Sequence, residues 1–141
     1  MYERILVPTD GSKNAHAAVK EAIALAKVLG SELFIVAVAT DQSYNHYGAK
    51  FGGEIMDHFR EEAAGYLKDA ADEAREAGVK ASTSFKVGLP KPTIAQVLPE
   101  DFDTSLTVIG RSGSHGIGRA IMGATTTYVV QHSDTNVLVV D

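Results

Sequence analysis

The chain has no cysteine, which removes disulfide frameworks, thiolate metal ligands and thiol nucleophiles together and suits a reducing compartment. No membrane-spanning apolar run occurs. The opening Met1-Tyr2-Glu3-Arg4 leads into only four strand-like residues, neither a basic-plus-apolar leader nor a bilayer anchor. A cytoplasmic protein without membrane contact is therefore expected. Basic residues are in deficit, 13 Lys+Arg against 18 Asp+Glu for a net charge of -5. This argues against nucleic-acid binding, which needs a broad face of clustered Lys and Arg to displace counterions. No low-complexity tract, repeat or linker divides the 141 residues. Residues 1–141 read as one domain, long enough to bury a core.

What is present alternates in period. Ile5-Leu6-Val7 is a short apolar run closed by Pro8-Thr9-Asp10-Gly11-Ser12, a buried strand ending in a turn. Ser12 is placed to cap a helix whose inner face is Ala15, Ala18, Ala22, Leu25 and Leu29, with Gly30 as its stop. Leu33 to Ala39 is continuously apolar, as a strand covered on both faces must be. Thr40 to Glu54 loses periodicity and reads as a long loop, on which Tyr44, Tyr47 and Phe51 could form a lid or tuck against the sheet edge.

A second helix follows, with Ile55, Phe59, Ala63, Tyr66, Ala70, Ala74 and Ala77 inside and Gly78 closing it. Ala81 to Val87 gives a third strand. Pro92 opens a short helix carrying Ile94, Val97 and Leu98. Leu106 to Ile109 is a fourth strand, a last helix carries Ile121, Thr125, Tyr128, Val129 and His132, and Asn136 to Val140 is a fifth strand. Strands alternating with helices predict a parallel sheet between two helical layers, a three-layer αβα sandwich. Ligands in such folds bind beyond the carboxyl ends of the strands, at the point where strand order reverses.

Five of the 13 glycines fall between Gly110 and Gly123, in GRSGSHGIGRAIMG, directly after a strand and before a helix. Glycines let backbone N–H groups turn inward, and a helix N-terminus adds partial positive charge; together they make an anion cradle suited to phosphate. From Thr104 through Ser133 there is no Asp or Glu, while Arg111, His115 and Arg119 are present. Gly113 and Gly118 have P-loop spacing, but Arg119-Ala120 stands where Lys-Ser/Thr belongs. A dinucleotide fingerprint also fails, because Ile121 occupies the place of its third glycine. Ser112 and Ser114 read as turn chemistry, His115 as a solvent-exposed loop histidine, and His16, His46, His58 and His132 show no metal-ligand spacing.

The opening ERILVPTDGS, the segment Val87-Gly88-Leu89-Pro90, the ending NVLVV, and Gly110, Gly113 and Gly123 at the spacing G-x2-G-x9-G resemble the universal stress protein family over essentially the whole chain. The resemblance implies a five-stranded parallel sheet in the order 3-2-1-4-5 and an adenine-nucleotide site for ATP, ADP or AMP with Mg²⁺. In that site Pro8, Thr9, Asp10 and Val38 would border adenine and ribose, Gly110 and Arg111 the ribose, and Gly113, Gly123, Ala124 and Thr125 the phosphates. Asp10 would either help hold the nucleotide-borne cation or cap the following helix. Ala124 departs from the family's nucleotide-binding branch, which has Ser or Thr there. The change removes a hydrogen bond to a charged oxygen worth about 1.5–3 kcal/mol at most.

The resemblance also implies a homodimer through the last strand, Asn136, Val137, Leu138, Val139 and Val140, which covers an otherwise exposed edge. The expected function is an ATP-binding stress-response module, a regulatory dimer acting on an unidentified protein partner. Its rivals are a nucleotide-independent dimer and a slow ATPase or nucleotidyl-transfer enzyme. No Lys in the glycine loop and no assembled nucleophile and base favour catalysis. The nucleotidyl-transfer reading lacks a histidine at the first turn, and a phosphoacceptor domain lacks its paired acids.

Overall fold

The computed structural model describes residues 1–40, 42–112 and 122–141, with residues 42–52 as backbone alone. Five strands, β1 (Arg4–Pro8), β2 (Glu32–Ala39), β3 (Ala81–Val87), β4 (Leu106–Gly110) and β5 (Asn136–Val140), form one parallel sheet in the order β3-β2-β1-β4-β5. The central strand β1 pairs with β2 from Arg4↔Glu32 to Pro8↔Val36 and with β4 at Ile5↔Leu106 and Leu6↔Thr107. Strand order therefore reverses between β1 and β4. The expected αβα architecture and strand order hold.

Each face of the sheet has its own core. Ile5, Val7, Leu33, Ile35, Leu106 and Val108 pack against helices α1 (Lys13–Leu29) and α2 (Gln42–Glu76). Leu6, Phe34, Val36 and Ile109 pack against Ile94, Ala95, Leu98 and Val129 of the opposite layer. Central strands with apolar side chains on both faces explain why their sequences read as unbroken apolar runs rather than alternation. Helix α1 begins as expected, with the Ser12 hydroxyl accepting the Ala15 N–H at 3.2 Å, and ends at Gly30 with φ +71. Its buried stripe is Ala15, Ala18, Val19, Ala22, Ile23 and Ala26. Leu29, expected inside, is 38% exposed, on the last turn of the helix.

Of the segment expected to be a loop over 40–54, residues 42–54 are instead the start of α2, which runs unbroken for 35 residues from Gln42, and Asp41 lies outside the described residues. Residues 42–54 contain neither proline nor a β-branched residue. Extending a helix already nucleated over 55–76 adds one hydrogen bond per residue, whereas nucleating one is costly. Gly48, Gly52 and Gly53 lower that gain without breaking the helix. Tyr44, Tyr47 and Phe51 lie in this stretch, and their side chains fall outside the described residues. Further along α2, Ala63, Leu67, Ala70 and Ala74 are buried on the sheet.

The short helix also differs from expectation, starting at Pro90 rather than Pro92. It comprises α3 (Pro90–Pro92), a π-helical turn (Thr93–Val97) and α4 (Leu98–Phe102). Pro99 has no N–H to offer the carbonyl four residues back, that of Ala95. That carbonyl accepts the Asp134 N–H at 3.4 Å, and the Leu98 N–H reaches back to Thr93 O. The widened turn places Ala95 in the core and leaves Val97, expected inside, 47% exposed. The last helix, α5 (Ala124–His132), starts at Ala124, and Ile121 lies outside the described residues.

Candidate site at the carboxyl edge of the sheet

The exit of β1 is held by its own side chains. Thr9 is buried, its N–H bonded to Val36 O at 2.9 Å and its hydroxyl accepting the Gly11 N–H at 3.2 Å. The exposed Asp10 accepts the Ser12 N–H on Oδ1 at 2.9 Å, which closes a side-chain turn leading into α1. Asp10 thus shapes the helix entry in this structure. Gly11 has φ +79, and a β-carbon there would stand 2.5 Å from Cδ2 of Tyr66 on α2. The Tyr66 phenol is pushed above its ordinary range by burial first and then by the carboxylates of Asp10 and Glu62, so it faces the turn as a neutral ring.

Across the switch point, β4 and α5 converge on the same edge. A β-carbon at Gly110 would lie 2.7 Å from Asn14 O and 2.8 Å from its carbonyl carbon, so the end of β4 presses directly on the backbone of α1. Gly110 O accepts the buried Thr126 hydroxyl at 2.7 Å, and Asn14 Nδ2 donates to Ser112 Oγ. The Gly123 N–H bonds to Arg111 O at 2.9 Å, drawing together the two ends of the glycine segment, and the Arg111 N–H bonds to Val140 O at 2.8 Å. Gly113, Ser114, His115 and Arg119 lie outside the described residues.

Gly123 is the N-cap of α5 and contributes no side-chain cap. The first-turn N–H groups of a helix have no partners within it, and their partial positive charge favours an anion. Ala124 is exposed on this turn, Thr125 is half-buried, and the Thr126 hydroxyl is already committed to Gly110. Nearby, Arg111 is half-buried and its buried Nε has no hydrogen-bond partner among the described residues. Val38 is half-buried on the α5 side of the sheet, two residues beyond the partner of Pro8. The sheet edge thus gathers Pro8, Thr9, Asp10, Val38, Gly110, Arg111, Gly123, Ala124 and Thr125.

The model of the universal stress protein family matches residues 1–141. The chain belongs to this family. A Staphylococcus epidermidis protein assigned to the universal stress proteins is 37% identical over 143 residues, covering 99% of this chain and 84% of that one. Among solved structures, universal stress protein UspA from Lactobacillus plantarum superposes with a TM-score of 0.87 at 27% identity, covering 99% of this chain and 98% of the other. A universal stress protein in complex with cAMP has a TM-score of 0.77 at 26% identity, covering 99% and 97%.

Within this universal stress protein fold, two features of the site escaped sequence reasoning. Asn14 and Thr126 lace α1 and α5 to the glycine segment. Their signal was faint: each is a short polar residue within three positions of a helix start. A cleft of about 560 Å³ also opens beside the turn, between α1 and α2, lined by Gly11, His16, Tyr66, Asp69, Glu73 and Glu76 among others. Its walls are joined by His16 Nε2 and Glu73 Oε1 at 2.7 Å. On its α2 wall Asp72 is held below the ordinary carboxylate range by its hydrogen bond from Lys68. Among the described residues no helix is long and apolar enough to cross a membrane.

Proposed function

We propose that this universal stress protein binds an adenine nucleotide across the switch point, with the base and ribose between the β1 exit and Val38 and the phosphates on the first turn of α5. One observation carries the reading: a glycine segment pinched shut at Arg111 and Gly123 delivers a helix N-terminus without a side-chain cap to the carboxyl edge of the sheet, the edge at which Thr9 and Asp10 leave β1. A universal stress protein solved in complex with cAMP supports nucleotide binding by this fold. The unpartnered Nε of Arg111 is a donor suited to ribose or phosphate oxygen. In this account the backbone N–H groups of Ala124 and Thr125 meet phosphate, Gly113 extends the cradle, and ATP, ADP and AMP compete.

Magnesium would arrive on the phosphates. No cluster of three acidic or histidine groups among the described residues can hold a metal by itself. When bound, Mg²⁺ would neutralise phosphate charge, with Asp10 the carboxylate that would share it. The test is a thermal-shift titration of nucleotide-stripped protein with ATP, ADP and AMP, with and without Mg²⁺. A ligand at 100 times its dissociation constant adds about 2.7 kcal/mol to the folded state. A shift is the expected result, and none with any nucleotide leaves the nucleotide-independent reading. Phosphate release measured in the same samples separates a binder from a slow ATPase.

The same reading makes the protein a regulatory homodimer in the cytoplasm, paired through Asn136, Val137, Leu138, Val139 and Val140 and switched by nucleotide toward a protein partner. Supporting this, β5 is an edge strand and its Leu138 is 38% exposed. Leu138→Lys adds charge to that edge without altering the pairing with β4, and it should shift the protein toward monomer in light scattering. A persistent dimer would place the interface elsewhere.

A further inference from the structure

Among the described residues, Tyr66 of helix α2 touches the β1–α1 turn of the candidate nucleotide site, and neither the site assignment nor the family resemblance uses it. Gly11, the positive-φ residue of the β1–α1 turn, has the Tyr66 ring directly against the position of its missing β-carbon, at 2.5 Å from Cδ2 and 2.8 Å from Cε2. Gly11 is tied on one side to Thr9 by its N–H, and the Asp10 and Ser12 hydrogen bond closes the turn around it. A shift of this turn toward α2 on nucleotide binding would meet the Tyr66 ring. The ring also borders the cleft between α1 and α2, which Thr9 and Gly11 line as well and which the His16–Glu73 contact bridges. The floor of the contact is firm, since Ala63 and Leu67, flanking Tyr66 on α2, are buried on the sheet.

We propose that Tyr66 is a positioning residue that couples the β1–α1 turn to α2, so that a nucleotide on the turn and the spacing of α1 and α2 across the cleft depend on one another. This rests on the nucleotide reading above. Coupling of this kind is reciprocal: whatever α2 gains from a filled site, the nucleotide gains from α2 in its preferred position. Packing contacts of closely fitted groups transmit displacement because they have few alternative arrangements. A second molecule that closes or props open the cleft would then tune nucleotide affinity without touching the nucleotide.

The absence of native cysteine makes the test clean. Spin labels on Lys20→Cys in α1 and Glu76→Cys in α2 report the interhelical distance, and calorimetry reports ATP affinity. In the labelled parent, ATP should change the distance distribution. In the Tyr66→Ala background the ATP-dependent change should vanish and affinity fall by about fivefold or more, whereas Tyr66→Phe restores both. Tyr66→Ser, which likewise takes the ring away from Gly11, serves if the alanine variant does not fold. Unchanged affinity in Tyr66→Ala or Tyr66→Ser, or a parent that binds ATP with no change in distance, overturns the coupling. A parent that binds no nucleotide overturns the nucleotide reading itself, and that result is visible before any Tyr66 variant is made.

Discussion

Gly110→Val should destabilise the protein by about 3 kcal/mol and lower its melting temperature by about 10 °C. The β-carbon would fall 2.7 Å from Asn14 O, closer than real β-carbons come to other atoms, and 3.2 Å from the Ala15 N, a tight contact. The obstacle is backbone, in the first turn of a helix capped by Ser12 and buried at Ala15 and Ala18, so no rotamer change relieves it. Either α1 or the end of β4 must move. A moved β4 strains the Thr126 bond to Gly110 O and the Asn14 bond to Ser112, and with them the start of the glycine segment. Gly30→Ala is the control, since a β-carbon there meets nothing within 4 Å. Its φ of +71 still makes alanine cost about 1 kcal/mol. Equal melting temperatures for the two variants would show that β4 and α1 are not in this close contact.

Ala124→Ser should tighten ATP binding by about tenfold to a hundredfold. A hydroxyl on the first turn of α5 adds a hydrogen bond to a charged phosphate oxygen, worth about 1.5–3 kcal/mol, and each 1.4 kcal/mol is a factor of ten. The gain depends on place: Ala124 is exposed on the helix N-terminus, while the Thr126 hydroxyl one position beyond Thr125 is buried on Gly110 O and cannot turn to a ligand. Stability should change little, because serine replaces alanine at an exposed position. Calorimetry with ATP and AMP on both proteins reads the difference. An unchanged ATP affinity would remove the phosphates from the α5 N-terminus.

The architecture was legible because its signals are local. The both-face burial of β1, β2 and β4 is written as apolar runs, and Ser12 and Gly30 punctuate α1 with side-chain and positive-φ caps that have few alternative uses. The beginning of α2 was not, because polar, glycine-bearing composition looks like loop, while helix propagation from the amphipathic 55–76 segment depends on cooperativity that a local window misses. The π-helical turn was hidden for a related reason: Pro99 leaves the Ala95 carbonyl without its helical donor, and the replacement comes from Asp134, far along the chain. At the site, Gly110 was read as a ligand contact from its spacing in the glycine pattern. Its missing side chain serves first to let β4 meet α1, a packing demand that only the tertiary arrangement reveals.

The most direct test of the account is an amide chemical-shift titration of the ¹⁵N-labelled protein with ATP. The account predicts that the largest perturbations fall on Ala124, Thr125 and Thr126 at the start of α5 and on Asp10, Gly11 and Ser12 across the switch point. Perturbations confined to the α1–α2 cleft, at His16, Asp69, Glu73 and Glu76, or no perturbation at saturating ATP, would contradict it.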